Sequence, residues 1–351
     1  MYQKAVRCIS CCRTAFDICQ EVRYNHGMEW RDDSVYENLA ARLREKLAKK
    51  QVLEAAPMSR FTTLHLGGPA DVLCDVTSAE DIRHALACAQ ECGAPVTVIG
   101  NGSNLLVKDG GVRGLVLRVC DGFAQVSAPV PLGDGRFALT AQGGAGLTKL
   151  SNAAAAAGLS GLEFAAGIPG TVGGAVYMNA GAYGGEMKDV VANVTAFDMD
   201  GSGISFTNEE MQFGYRKSAL TLREKPAVVT SVTVSLVPGD EETIRTAMRE
   251  FNARRREKQP VTLPSCGSTF KRPEGKFAGT LIDQCGLKGL RVGGASVSTL
   301  HAGFLVNDQN GTAADYLALI AEVQRIVKEK TGFHLEPEVR IIGEDAPSVL
   351  I

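Results

Sequence analysis

The sequence lacks the features that would send it to a membrane, an export route or a nucleic acid. No uninterrupted apolar run approaches the ~18–20 residues that a bilayer-spanning helix needs, so a membrane protein is not expected. The first residues are broken by Lys4, Arg7, Arg13 and Asp17, which leaves no apolar core for a secretory leader. An excess of charge of one sign is also missing. Lys and Arg number 37 against 39 Asp and Glu, a net charge of -2, which excludes a nucleic-acid binder carried by bulk charge. Aromatic residues are sparse at 6%, with one tryptophan, Trp30. Cysteine is not scarce: Cys8, Cys11, Cys12, Cys19, Cys74, Cys88, Cys92, Cys120, Cys266 and Cys285. The Cys8-x-x-Cys11-Cys12 cluster has no second pair at zinc spacing, so no metal site is expected. Cys88 and Cys92 lie one helical turn apart and read as small apolar packers. Free thiols in a reducing cytoplasm fit this usage.

What the chain has is length, apolar residues and clustered glycine. Its 351 residues, 45% hydrophobic and 22% charged, suit two or three globular domains. Residues 1–33 show no clear period and read as an extension, either disordered or an upstream mis-called start, with Met28 just before the first well-formed element. Ser34-x-x-Glu37 is a capping box opening a helix with Val35, Leu39, Leu43 and Leu47 on one face. Strands are expected at Val72–Val76, Pro95–Gly100, Leu115–Val119 and Phe137–Gln142. A helix capped by Ser78 should stop at Gly93, and another should run from the Gly143–Gly146 cluster to Gly158. Gly158–Gly185 reads as a long structured loop. A hairpin is expected at Val191–Met199 and Ile204–Thr207 around Asp200-Gly201, followed by a strand at Ala227–Val237. Beyond Pro238-Gly239-Asp240 come a charged helix to about Lys258, a strand at Ala302–Asn307, a helix at Ala313–Lys330 and a strand at Leu335–Ile342. Strands and helices mixed in both halves make an α+β protein.

Three glycine loops follow strands or open helices. Gly100-Asn101-Gly102-Ser103-Asn104 can turn successive amides toward an anion, with Ser103 and Asn104 adding side-chain donors. The Gly-x-Gly-x-x-Gly pattern is absent here and no helix follows, which argues against a Rossmann turn. Gly143-Gly144-Ala145-Gly146 opens a helix N-terminus to a phosphate, and Gly167-Ile168-Pro169-Gly170-Thr171-Val172-Gly173-Gly174 is the third loop. Each alone reads as a tight turn. Together they point to a large cofactor carrying a pyrophosphate.

The motifs then become specific. Gly100-Asn-Gly-Ser-Asn-Leu-Leu-Val107, Gly161-Leu-Glu-Phe-Ala-Ala-Gly-Ile-Pro-Gly-Thr-Val-Gly-Gly-Ala175 and Asn179-Ala-Gly-Ala-Tyr183 resemble the UDP-N-acetylenolpyruvoylglucosamine reductase (MurB) family. So do Phe213-Gly-Tyr-Arg-Lys-Ser218, Cys266-Gly-Ser-Thr-Phe-Lys271, His301-Ala-Gly-Phe-Leu-Val-Asn307 and Leu335-Glu-Pro-Glu-Val-Arg-Ile-Ile-Gly343. The resemblance covers about residues 34–345. It implies an N-terminal helix over 34–58, a two-lobed α+β FAD-binding domain of the vanillyl-alcohol-oxidase (PCMH) type over 59–237, and a smaller α+β substrate-binding domain over 238–351. The spacing from Arg216 to Ser268 leaves no room for the extra loop with a substrate-binding Tyr, so the chain resembles the shorter, second type.

The resemblance also implies a reaction: NADPH reduces a bound FAD, and hydride passes to the enolpyruvyl double bond of UDP-N-acetylglucosamine enolpyruvate, giving UDP-N-acetylmuramate for peptidoglycan. Residues 100–104 hold no His, so the FAD should be non-covalent, and His65 is given no linking role. Its expected contacts are Gly100, Asn101, Gly102, Ser103, Asn104, Gly143, Gly144, Gly167, Ile168, Gly170, Thr171, Gly173 and Gly174. Arg216 should hold the substrate carboxylate, Ser268 should donate the proton, and Glu338 should assist polarisation or protonation. Lys258 matches a lysine near phosphates, and Asn179 and Tyr183 are candidate substrate contacts; Arg272 stands where another branch has Asn. Read without the resemblance, Arg216 is a surface ion pair, Ser268 a turn residue and Glu338 a solvated strand residue. Two other readings stay open: another flavin enzyme of the same fold, and a non-catalytic nucleotide-sugar binder.

Overall fold

The computed structural model describes residues 33–346. The expectations placed on residues 1–32, including the Cys8–Cys19 cluster and Trp30, lie outside them. Among the described residues, those from Val35 onward form one compact unit.

The first lobe begins with α1 (Asp33–Leu43), whose Leu39 and Leu43 are fully buried, with Leu47 just beyond its end. The helical expectation for 34–58 then fails, because Val52–Pro57 is a strand, β1, paired antiparallel with β2 (Pro69–Val76). The helix α2 (Ala79–Glu91) follows; the Ser78 hydroxyl accepts the Asp81 amide at 3.0 Å, and Gly93 turns the chain at φ 64°. Next come β3 (Val96–Ile99), β4 (Leu105–Val107) and β5 (Val112–Val119). The sheet order is β1-β2-β5-β3, with β2, β5 and β3 parallel. The α2 crossover buries Ile82, Ala85 and Leu86 against β2 and β5, and Cys88 and Cys92 pack in this core as expected. The strand β4 leaves this sheet for a later partner.

The second lobe is an antiparallel sheet: β6 (Val130–Pro131), β7 (Phe137–Gln142), then α3 (Leu147–Ala156) and β8 (Leu159–Ser160). The stretch expected as a loop contains α4 (Val172–Tyr177), capped by Thr171, and the short pair β9 (Gly181–Ala182) and β10 (Gly185–Glu186). Glycine at 173 and 174 hides this helix from propensity. Tertiary bonds compensate: the Val172 amide donates to Ala145 O at 2.7 Å and that of Gly173 to Gly143 O at 2.8 Å. The hairpin β11 (Val191–Phe197) and β12 (Gly203–Thr207) turns at Asp200-Gly201, α5 (Ala219–Leu222) is one turn, and β13 (Val228–Pro238) completes the order β12-β11-β13-β7-β6.

The helix α6 (Glu241–Lys258) starts on an Asp240 cap. Its buried Ile244 and Met248 meet Ala155 and Ala166 of the second lobe. The helix that follows the expected boundary at 238 thus packs on the second lobe. The remainder holds α7 (Ala278–Gln284), a small sheet of β14 (Arg291–Val292), β15 (Ala295–Val297) and β16 (Leu305–Asn307), and α8 (Ala313–Thr331). Only the end of the expected 335–342 strand forms, as β17 (Arg340–Ile342), and it pairs parallel with β4. Asp109, just after β4, accepts the Ala313 and Ala314 amides at 2.9 and 2.9 Å, so the first lobe caps α8.

Candidate active site

The first glycine loop joins β3 to β4 and is tightly seated. A Cβ at Gly100 would lie 2.4 Å from Thr171 Oγ1, and one at Gly102, whose φ is 62°, would lie 2.3 Å from the Phe61 carbonyl oxygen. The amides of Asn101, Gly102, Ser103 and Asn104 donate no hydrogen bond among the described residues. Such a run of free N–H groups is a concavity for an anion. The Asn101 side chain is an internal latch: Cys120 Sγ donates to its Oδ1 at 2.8 Å, and its Nδ2 donates to Pro169 O at 3.2 Å. Gly170 O in turn accepts the Leu147 amide at 2.9 Å, joining the third loop to the start of α3. The buried Thr171 caps α4 through the Gly174 amide at 3.2 Å. The loops therefore interlock as one cradle. Beside it opens a cavity of about 270 Å³ lined by Arg60, Phe61, Thr62, Thr63, His65, Asn101, Arg118 and Pro169. Free amides, glycines with no room for a side chain and a cationic wall fit the pyrophosphate of a dinucleotide such as FAD. The sequence reading missed Arg60 and Arg118, the latter held to Asp75 at 2.8 Å.

Next to the cradle stands a cluster of charged side chains. Arg216 Nε bonds Glu338 Oε1, and Tyr215 donates its hydroxyl to Glu338 Oε2 at 3.0 Å. The Tyr215 hydroxyl accepts the Arg272 amide at 3.2 Å. Burial, then the Glu338 charge, pushes the Tyr215 phenol up from its ordinary value, so it stays a donor at neutral pH. The Glu338 side chain is only 8% exposed. Arg216 holds a φ of 53°. Asn179 (44°), Tyr183 (53°) and His65 (56°) share this rarely occupied region.

Ser268 reaches the cluster through backbone pairing. The Glu338 amide donates to Thr269 O at 2.7 Å, Lys271 N donates to Glu336 O at 2.8 Å, and Phe270 bridges Pro337, so 268–271 runs antiparallel to 336–339. Ser268 is exposed, and its hydroxyl has no partner among the described residues. The first glycine loop touches both segments. Gly102 O accepts the Thr63 amide at 3.3 Å and Thr63 O accepts that of Ser265 at 3.1 Å. Asn104 Nδ2 donates to Glu338 O at 3.3 Å. Arg216, Ser268 and Glu338 are thus gathered at the edge of the cradle.

The other candidates divide. Asn179 is 1% exposed. Its Nδ2 donates to Glu186 Oε2 at 2.6 Å and Gly214 O at 3.1 Å, and its Oδ1 accepts the Lys188 amide at 2.9 Å. This enclosed side chain supports the Arg216 turn. Tyr183 stacks on Phe251 of α6, ring centroids 4.5 Å apart and planes within 1°. It lines a separate cavity of about 430 Å³ with Phe164, Ile244 and Ala247. Lys258 is exposed at the end of α6. One turn earlier, Arg255 donates to Gly167 O, which ties that helix end to the third loop. Arg340, missed by the sequence reading, donates to the Tyr177 hydroxyl at 2.7 Å beside Asn104.

Two family models match this architecture: an FAD binding domain over residues 70–207, and the C-terminal domain of UDP-N-acetylenolpyruvoylglucosamine reductase over 259–342. The second begins just past α6, in line with the packing of that helix. Fold and cradle define an FAD-dependent oxidoreductase of α+β class with an appended C-terminal domain. The chain is 47% identical over 295 residues to the UDP-N-acetylenolpyruvoylglucosamine reductase of Levilactobacillus brevis, covering 84% of this chain and 94% of that one. It is 46% identical over 310 residues to that of Exiguobacterium sibiricum, covering 88% and 99%. The crystal structure of the Thermus caldophilus enzyme superposes with a TM-score of 0.67 at 39% identity, over 83% of this chain and 97% of that one. The chain belongs to the UDP-N-acetylenolpyruvoylglucosamine reductase family.

Proposed function

We propose that the chain reduces UDP-N-acetylglucosamine enolpyruvate to UDP-N-acetylmuramate at the expense of NADPH, a cytoplasmic step of peptidoglycan precursor synthesis. The observation that carries this reading is the Arg216–Glu338–Tyr215 cluster beside an open Ser268 hydroxyl, hydrogen-bonded to the first glycine loop. FAD, when bound, supplies the hydride carrier. The amides of residues 101–104, with the Gly143–Gly144 and Gly167–Gly174 loops around them, would hold its pyrophosphate.

Hydride addition to the terminal carbon leaves negative charge on the neighbouring carbon and its carboxylate. Arg216 commits Nε to Glu338 and has no other hydrogen bond among the described residues, so its two Nη groups are free for that carboxylate. Ser268 Oγ delivers the proton to the carbon bearing the carboxylate. Glu338, enclosed and held at both oxygens, keeps Arg216 oriented and assists the transfer. Lys258 meets a phosphate of the nucleotide sugar or the nicotinamide cofactor. Tyr183 offers its exposed ring to substrate, and Asn179 braces the Arg216 turn from behind. NADPH, rather than NADH, comes from the family likeness.

Ser268→Ala tests the central role. Under anaerobic conditions the variant should lose its flavin band on NADPH addition as the parent does. Recovery of the band on adding the enolpyruvyl substrate should slow by about 10²–10⁴-fold. Recovery at the parent rate would remove Ser268 as the proton donor.

A further inference from the structure

Beneath the exposed Ser268 lies a closed ring of hydrogen bonds that the chemistry above leaves unused. Tyr316, fully buried in the first turn of α8, donates its hydroxyl to the Leu305 carbonyl at 3.2 Å. The same oxygen lies 3.1 Å from Thr269 Oγ1 and 3.2 Å from Cys266 Sγ. The Leu305 amide donates to Thr269 Oγ1 at 3.2 Å. One assignment of protons satisfies every contact. Tyr316 gives its single proton to Leu305 O, so the Thr269 hydroxyl and the Cys266 thiol both donate to Tyr316. Burial keeps these protons in place, pushing the Tyr316 phenol up and the Cys266 thiol to about 11.

The ring grips both flanks of Ser268. Cys266 stands two residues before it and Thr269 directly after. Thr269 also carries the register with the rest of the site: its amide donates to Gly303 O at 2.9 Å and its carbonyl accepts the Glu338 amide at 2.7 Å. Since the Ser268 hydroxyl has no partner of its own among the described residues, its position is set by these flanks.

We infer that Tyr316, acting through Thr269, is a positioning residue that holds the Ser268 hydroxyl in register with Glu338 for proton delivery. The inference rests on Ser268 being the proton donor. A reacting group displaced by about 1 Å loses about 10²-fold in rate, so a loosened turn should reach the chemistry without touching substrate.

The test compares holoenzymes carrying Thr269→Val, Thr269→Ser, Tyr316→Phe and Ser268→Ala. Thr269→Val keeps the shape and deletes the hydroxyl; it carries the test if Tyr316→Phe does not fold. Bleaching of the flavin band by NADPH should proceed at the parent rate in all of them. Recovery with the enolpyruvyl substrate should slow about tenfold or more in Thr269→Val and Tyr316→Phe, and stay within about twofold of the parent in Thr269→Ser. A merely structural role would lower melting temperature without separating the two half-reactions. A second readout needs no turnover: alkylation of Cys266, followed by peptide mass spectrometry, should be about tenfold faster in Thr269→Val than in the parent. Parent-like recovery in Thr269→Val, or unchanged Cys266 alkylation, would overturn the inference while a slow Ser268→Ala leaves the proton donor standing. Parent-like recovery in Ser268→Ala would instead remove the donor and the inference with it.

Discussion

The proposed cofactor cradle and the proposed reactive face beside it are built from different materials. The cradle is backbone: free amides of residues 101–104, with glycines whose missing side chains make room for neighbouring carbonyls. The reactive face is side chain, with Arg216 and Glu338 delivered from positions 122 apart and Ser268 from a third segment. A backbone site is hard to remove by trimming side chains and easy to destroy by adding one. A side-chain site has the opposite sensitivity. The two regions meet at Asn104, which belongs to the glycine loop and donates to the Glu338 carbonyl.

Breaking one region should spare the other. The largest effect is expected from Gly102→Val, which forces a side chain onto a positive φ and into the Phe61 carbonyl. Strain and overpacking should cost about 2–5 kcal/mol, and the purified variant should carry little flavin by absorbance. Normal flavin content in this variant would show that the first loop is not part of the cradle. Asn179→Ala attacks the other side: the Lys188 amide loses its acceptor, and Gly214 O and Glu186 each lose one of their partners near the Arg216 turn. It should cost about 1–3 kcal/mol and lower turnover with flavin content unchanged; a loss of flavin with turnover per bound flavin preserved would reverse the assignment. Asp109→Ala removes the cap that the first lobe places on α8. About 1 kcal/mol of stability should go, seen as a lower melting temperature, with turnover per bound flavin intact.

The smallest effect is a pH dependence. Amides of Thr312 and Gly294 hold the Asp315 carboxyl below its ordinary value of 3.8, outweighing the opposing effect of burial. A depressed folded value contributes stability above the unfolded pKa and loses it as pH falls through the folded one. The melting-temperature gap between the parent and Asp315→Asn should be full at pH 7 and close below about pH 4. A gap that widened on acidification would contradict this sign.

The same division governs what the sequence reveals. Elements with local signals are legible in it, among them α2 between Ser78 and Gly93, β7, and α8, expected at Ala313–Lys330. The strand β1 is not, because Val-Leu-Glu-Ala-Ala-Pro has no alternation and becomes a strand only by pairing with β2. The helix α4 hides behind its paired glycines, and α7 is too short to show a period. The cradle is visible as glycine clusters since backbone geometry leaves that mark. The reactive face is mute residue by residue: nothing local joins Arg216 to Glu338, and only the likeness of whole motifs brings them together. Tyr215 stands beside Arg216 but carries no local mark, because its partner Glu338 lies across the fold. Arg118 reaches the cavity through the register of β5, which the sequence pattern does not encode.

The most direct test is the visible spectrum of the purified protein, followed anaerobically. NADPH should bleach the flavin band, and only UDP-N-acetylglucosamine enolpyruvate should restore it. A protein that bleaches and does not recover with that substrate would contradict the proposed reaction, and a colourless protein that FAD cannot reconstitute would contradict the cradle itself.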